Sequence, residues 1–168
     1  MNFEIREMTV SDWNEVRAIY VEGIKTENST FEAEAPSWEK WDLGHISTCR
    51  LVASLKDKVL GWVALSPVSS RSVYAGVAEV SVYISSEHRG KGIGKTLLEH
   101  LVKCSEKHGF WTLQASIFPE NVASITIHKK CGFREIGRRE KLGKMKNGIW
   151  RDVILLERRS KIVGDVGI

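Results

Sequence analysis

The run Arg89-Gly90-Lys91-Gly92-Ile93-Gly94-Lys95 places three glycines at alternate positions among three cations. Glycine accepts backbone angles that turn successive N–H groups toward one point, and a helix starting there adds positive potential. Arg89, Lys91 and Lys95 supply charge for the same ligand. The chemistry this implies is capture of a phosphate or pyrophosphate. Spacing excludes two familiar loops of that kind. A dinucleotide fingerprint reads G-x-G-x-x-G, and Lys95 stands where its last glycine belongs. Gly94-Lys95-Thr96 matches the tail of a Walker A loop, but Arg89 stands where that loop needs its first glycine.

Other reactive side chains are scattered. Glu79 lies within the apolar run Val77–Ile84, where the ordinary reading is an edge-facing carboxylate paired with Arg71 or Lys25. His128 has a reference pKa near 6.5 that suits proton transfer, and space-filling between helix and sheet is an equal alternative. Cys49, Cys104 and Cys131 are odd in number, widely separated and without a C-x-x-C pair, which predicts reduced packing cysteines. The five histidines show no H-x-x-x-H or H-E-x-x-H spacing, so no metal centre is expected.

These residues need elements to hold them. Phe3–Arg6 alternates like a half-buried strand. Thr9 and Ser11 are N-cap candidates for a helix with Trp13, Val16, Tyr20 and Ile24 on one face. Pro36-Ser37 opens a short helix bearing Trp38 and Trp41. Arg50–Ser54 and Val59–Ser66 form a hairpin about the turn Lys56-Asp57-Lys58, and Ser69–Ser72 reads as loop. Val77–Ile84 is a central strand, followed by an amphipathic helix carrying Leu97, Leu98, Leu101 and Val102. Trp111–Ile117 is a strand, and a helix from about Asn121 to Cys131 stops at Gly132. Strands at Arg134–Arg138 and Ile149–Leu156 complete a single α/β (α+β) domain, with helices on both faces of a mixed, mostly antiparallel sheet.

The bulk properties agree. A chain of 168 residues with 42% hydrophobic and 27% charged residues can bury a core without disulfides or metals. The N-terminus lacks an apolar leader and no run approaches the roughly eighteen apolar residues of a membrane span, so a cytoplasmic location without membrane attachment is expected. The net charge of +4 is interleaved with acids between Arg134 and Lys161, which reads as a solvated face rather than a nucleic-acid surface.

The glycine run also matches [RQ]-x-x-G-x-[GA], and Asn121 to Phe133 is similar to N-x-x-[AS]-x-x-[LI]-[YFH]-x-x-x-G-F. Together they resemble the GNAT N-acetyltransferases. Ala18-Ile19-Tyr20, Thr30-Phe31, Arg71-x-x-Tyr74, Glu79–Ile84, Ile127-His128 and Trp150-x-Asp152 resemble the phosphinothricin N-acetyltransferase branch. The resemblance runs from about residue 3 to 157 and leaves 158–168 as an uninformative tail. One departure is Val68, where the branch often carries an aromatic ring that would shape the acceptor pocket.

This resemblance implies acetyl transfer from acetyl-CoA to an amine by direct attack. A lysine-type amine with a pKa of about 10.4 is only ~1 part in 2,500 neutral at pH 7, so a base is needed. Glu79 takes that role, through water, with a typical contribution of about 10²–10⁴-fold. The strand Val82-Tyr83-Ile84 lines the cofactor. Val82 and Ile84 present backbone groups, the Val82 N–H holds the thioester carbonyl, and the Tyr83 ring turns to the core. Arg89 to Lys95 take the pyrophosphate, with Gly90, Lys91, Gly92, Ile93 and Gly94 as the cradle, while Asn121 and Ser124 meet the pantetheine arm. His128 stands near the departing sulfur. Phe31, Arg71, Tyr74 and Glu79 form the acceptor pocket, with Arg71 as a bidentate clamp for a carboxylate or phosphinate and Trp62 and Trp150 at its border. The expected acceptor is a small amino-acid-like amine such as phosphinothricin, methionine sulfone or methionine sulfoximine. A protein N-terminus, a polyamine, or an acyl-CoA sensor with little turnover are the alternatives. A homodimer joined through the C-terminal strands and Trp150 is also implied.

Overall fold

A computed structural model describes residues 2–165. Seven strands form one sheet: β1 Glu4–Glu7, β2 Leu51–Leu55, β3 Lys58–Pro67, β4 Val77–Ile84, β5 Thr112–Ile117, β6 Arg134–Lys144 and β7 Trp150–Arg159. Their spatial order is β1-β2-β3-β4-β5-β7-β6, and every neighbouring pair is antiparallel except β4 with β5. The helices are α1 Trp13–Lys25, α2 Trp38–Gly44, α3 Ile93–Lys107 and α4 Val122–Lys130. The expected mixed, mostly antiparallel α/β sheet is what the chain forms.

Local chemistry sets the element starts. Before α1, Asp12 accepts the Thr9 backbone N–H at 2.8 Å and closes a capping box with it. The same carboxylate takes a bidentate pair from Arg6 at 2.8 and 2.9 Å, tying β1 to the helix start. Ser37 caps α2 by accepting from the Lys40 N–H at 3.3 Å. Lys56 and Asp57 both adopt positive φ, the geometry of a tight hairpin turn whose twist suits β2 and β3.

Each sheet face has its own core. On one, α3 lays Leu97, Leu98 and Leu101, each fully buried, against Leu60, Val63, Leu65, Leu113, Ala115 and Leu156. Burying a leucine side chain of this kind contributes about 1.5–3 kcal/mol. On the other face, Val16 and Ile19 of α1 and Trp41 of α2 pack on Val52, Trp62 and Ala64. An aromatic stack continues there, with Trp62 against Tyr83 at 4.9 Å and Tyr83 against Tyr20 at 4.9 Å. Trp62 is completely buried within it, so it borders no pocket, contrary to its expected place.

Two further differences from the sequence reading have physical causes. β6 runs to Lys144, well past Arg138, because β7 supplies its pairing even where the strand is charged and exposed. Its register shifts twice against β7, which removes any clean alternation from the sequence. The segment after β7 also docks: Ser160 is buried and donates to Glu106 at 2.5 Å, and Gly164 lies against Trp111. The part of the tail beyond Asp165 lies outside the described residues.

Candidate active site

The central feature is an interrupted pairing. β4 and β5 run parallel and pair only at Val77↔Thr112, Ala78↔Leu113 and Glu79↔Gln114. Beyond Glu79, β4 keeps β3 as its partner, while β5 from Ala115 to Ile117 pairs with β7. The outer halves of the two strands therefore part. Along Val80–Ile84, alternate backbone N–H and C=O groups on the β5 side have no ladder partner. This edge is where an extended ligand can pair with backbone.

The glycine run sits just past the end of β4. Gly90 and Gly92 have φ of 75° and 82°, and a Cβ at either would meet nothing within 4 Å, so both flank open space. Gly92 is the N-cap of α3 and brings no side-chain cap, and the first turn carries no acidic residue. Its N–H groups face outward with only Arg89, Lys91 and Lys95 as charged neighbours in the loop, a site suited to a diphosphate. Gly94 has a different task. A Cβ there would lie 3.3 Å from Ile127 Cδ1 and 3.6 Å from Ile84 Cγ1, so its bareness lets α3 approach both α4 and β4. Lys95 is bound to Glu99 at 2.9 Å, one turn along the helix. Arg89 donates from Nε to the Ile84 carbonyl at 3.3 Å, joining the loop to the strand end.

Strand alternation divides the β4 side chains. Val82 and Ile84 pack toward the α3 face, whereas Tyr83 stacks into the aromatic core on the α1 face. Burial holds the Tyr83 hydroxyl well above the ordinary phenol range, so it stays neutral. Glu79 shares the α1 face. Its Oε1 accepts from Gln114 Nε2 at 3.1 Å and from Ser116 Oγ at 3.0 Å, and its Oε2 has no partner among the described residues. Neither Arg71 nor Lys25 pairs with it; Arg71 instead lies over the Tyr74 ring at 5.4 Å. The carboxylate thus stands at the fork of β4 and β5, held by neutral donors on one oxygen.

α4 packs on α3, where Ile127 lies against Gly94. Asn121 caps it, with Oδ1 accepting from the Ser124 N–H at 3.3 Å, and this leaves the amide Nδ2 unused among the described residues. His128 is 3% exposed and packs edge-on against Phe133. Its Nδ1 lies 2.7 Å from the Ser124 carbonyl, and a carbonyl can only accept, so the proton is on Nδ1. Nε2 is then a bare acceptor, buried without a partner among the described residues. Burial lowers the His128 pKa from 6.5, against the smaller opposing effect of the Ser124 carbonyl, so the ring is neutral at pH 7. In that state His128 offers a lone pair and no proton.

The expected acceptor residues are only partly gathered. Arg71 precedes a short 3-10 turn, Ser72–Tyr74, that Tyr74 closes, and both side chains are exposed. Phe31 instead enters a small core with Phe118, Met145 and Val153, meeting Phe118 edge-on at 4.9 Å. Gly143 of β6 is bare against it. Arg151 organises this corner. It donates to the Glu27 carbonyl at 2.6 Å and to Asn28 Oδ1 at 2.9 Å, and its guanidinium lies 4.0 Å over the Phe118 ring. Trp150 is exposed beside it. Arg151, Gln114 and Ser116 escaped the sequence reading. The signal for the last two was present: Thr112, Gln114 and Ser116 alternate with apolar Leu113, Ala115 and Ile117.

The sheet thus parts beside a carboxylate, and α3 starts without a side-chain cap. Comparison with known proteins gives the class. Residues 10–133 match the acetyltransferase (GNAT) family, and the chain belongs to that family. It is 32% identical over 154 residues to a phosphinothricin N-acetyltransferase of Streptomyces viridochromogenes, covering 89% of this chain and 84% of that protein. It is 26% identical over 163 residues to an L-methionine sulfoximine/L-methionine sulfone acetyltransferase of Pseudomonas aeruginosa, covering 94% of each. A crystal structure of a phosphinothricin acetyltransferase from Sinorhizobium meliloti in complex with AcCoA superposes with a TM-score of 0.85 at 30% identity, covering 98% of this chain and 90% of that one. The protein is an acetyl-CoA-dependent N-acetyltransferase.

Proposed function

We propose that the enzyme acetylates the amine of a small amino-acid-like acceptor of the phosphinothricin or methionine sulfone and sulfoximine type, with Glu79 as general base. The observation that carries the mechanism is the free Oε2 of Glu79 at the fork of β4 and β5, on a carboxylate oriented by Gln114 and Ser116. The free edge at Val82 offers a backbone N–H to the thioester oxygen, where charge develops in the tetrahedral intermediate. Gly90 to Ile93 and the α3 start bind the diphosphate, and Asn121 Nδ2 serves the pantetheine arm. Glu79 accepts the amine proton directly or through one water. The amine nitrogen bonds to the acetyl carbon to form that tetrahedral intermediate, its collapse breaks the C–S bond, and the proton taken by Glu79 returns through water to the departing thiolate. His128 Nε2 accepts a hydrogen bond from the resulting thiol. Arg71 holds the acceptor's acidic group once it leaves the Tyr74 face.

Membership of a family whose similar proteins act on phosphinothricin and methionine sulfoximine supports this acceptor class. The exposed outer strand β6, with Ile136, Leu142 and the neighbouring Ile149 and Trp150 uncovered, supports a homodimer through this edge. Three free thiols fit a cytoplasmic location. Thiol release from acetyl-CoA, measured over a panel of amino acids, polyamines and peptide N-termini, tests the acceptor. Turnover with phosphinothricin or methionine sulfone should exceed that with the other two classes. Preference for a peptide N-terminus or a polyamine would overturn this reading, and no acceptor-dependent release would leave a sensor.

A further inference from the structure

At the opposite end of α3 from the glycine run, three donors converge. Cys49, on the segment leading into β2, places Sγ 3.6 Å from His108 Nδ1, and Cys104 places Sγ 3.7 Å from the same nitrogen. All three ligand atoms lie within 4.8 Å of one another. Cys104 stands about 16 Å along the helix axis from Ile93, so the cluster is separate from the acetyl-transfer site. We propose that Cys49, Cys104 and His108 form a binding site for one zinc ion, with the fourth position open to water.

The geometry suits this ion. Zinc bonds of about 2.3 Å to sulfur and 2.0–2.1 Å to nitrogen give a tetrahedral S···N edge of about 3.5–3.6 Å, close to both observed separations. The electrostatics suit it too. Two thiolates and one divalent cation sum to zero charge, so the ion neutralises the pair it binds. The C-terminal carbonyls of α3 add negative potential at the same point. Cys49 and Cys104 each lose one proton on binding. For Nδ1 to coordinate, the His108 ring turns off the Cys104 carbonyl, to which it now donates at 2.9 Å, and carries its proton on Nε2. His108 is exposed, which leaves an approach path for the ion.

The reduced full-length protein, titrated with zinc against a chromogenic chelator, should take up one ion per chain and release two protons. Cobalt should give the thiolate-to-metal charge-transfer band of a tetrahedral site. Cys104→Ser and His108→Ala should each weaken zinc at least ~10-fold, the lower bound set by losses of mere supporting residues. Both should keep wild-type acetyl transfer, which also reports that they fold. The proposal fails if no stoichiometric zinc binds, or if neither substitution changes the affinity. It also fails if peroxide converts Cys49 and Cys104 to a disulfide in a chain that takes up no metal, which would make them a redox pair.

Discussion

The two sides of the parted sheet are built in different ways. The proposed cofactor side draws on two continuous stretches, from β4 through the glycine run into α3, and from Asn121 through α4 to Phe133. Its geometry rests on backbone: a free strand edge, two positive-φ glycines and an uncapped helix start. The proposed acceptor side is assembled from Phe31, the Arg71–Tyr74 turn, the polar face of β5 and the start of β7, and Arg151 side-chain bonds tie the β7 start to Glu27 and Asn28. A group that is the same in every reaction can be held by backbone, which changes little with sequence. A variable group needs side chains, which can be exchanged without disturbing the fold.

Four measurements would sharpen or break this contrast. The largest effect belongs to the residue between the two sides. Glu79→Gln should lower kcat by about 10²–10⁴-fold while acetyl-CoA affinity, read by isothermal titration, stays unchanged. Near-normal turnover would remove Glu79 from the mechanism. Next, Gly94→Val forces side-chain atoms toward Ile127 and Ile84, and overpacking of this kind costs about 1–3 kcal/mol. Thermal unfolding should report that loss, and steady-state kinetics should show a raised KM for acetyl-CoA with little change for the acceptor. A raised acceptor KM instead would mean that the two sides are not separable.

Arg151→Ala is the mirror experiment. Loss of its bonds to Glu27 and Asn28 should cost the acceptor about 1–2 kcal/mol, or ~10-fold in kcat/KM, with KM for acetyl-CoA unaltered. The smallest effect lies remote from both sides, at Asp12. The Arg6 guanidinium holds its carboxyl below the ordinary 3.8, with the Thr9 N–H assisting against burial. A lowered folded-state pKa means that the stabilisation is complete above 3.8 and is lost as pH falls through the lower folded value. Unfolding midpoints followed downward from pH 5 should therefore drop less steeply in Asp12→Asn than in wild type. Parallel curves would show that the Arg6 pair contributes nothing to acid stability.

The elements of the proposed cofactor side were legible because their signals are local. A glycine that needs positive φ, an Asn that caps a helix, or an apolar strip on α3 is specified within a few residues. The acceptor side was less legible for the same reason: Phe31 meets Phe118 and Gly143 only through folding, and Arg151 finds partners more than a hundred positions away. Trp62, expected at a pocket, is walled in by Tyr83 and Tyr20 from other elements. His128 shows the limit most clearly. Its residue type offered an acid, but burial and the Ser124 carbonyl make it a neutral acceptor.

By itself, the sequence determined the order of strands and helices along the chain, the glycine turn that opens α3 and the family, since periodicity, capping and glycine spacing are short-range properties. Only the tertiary structure decided where β4 and β5 part, which oxygen of Glu79 stays free, and that Cys49 meets Cys104 and His108. Those depend on register and on contacts between distant segments, and no local spacing encodes them.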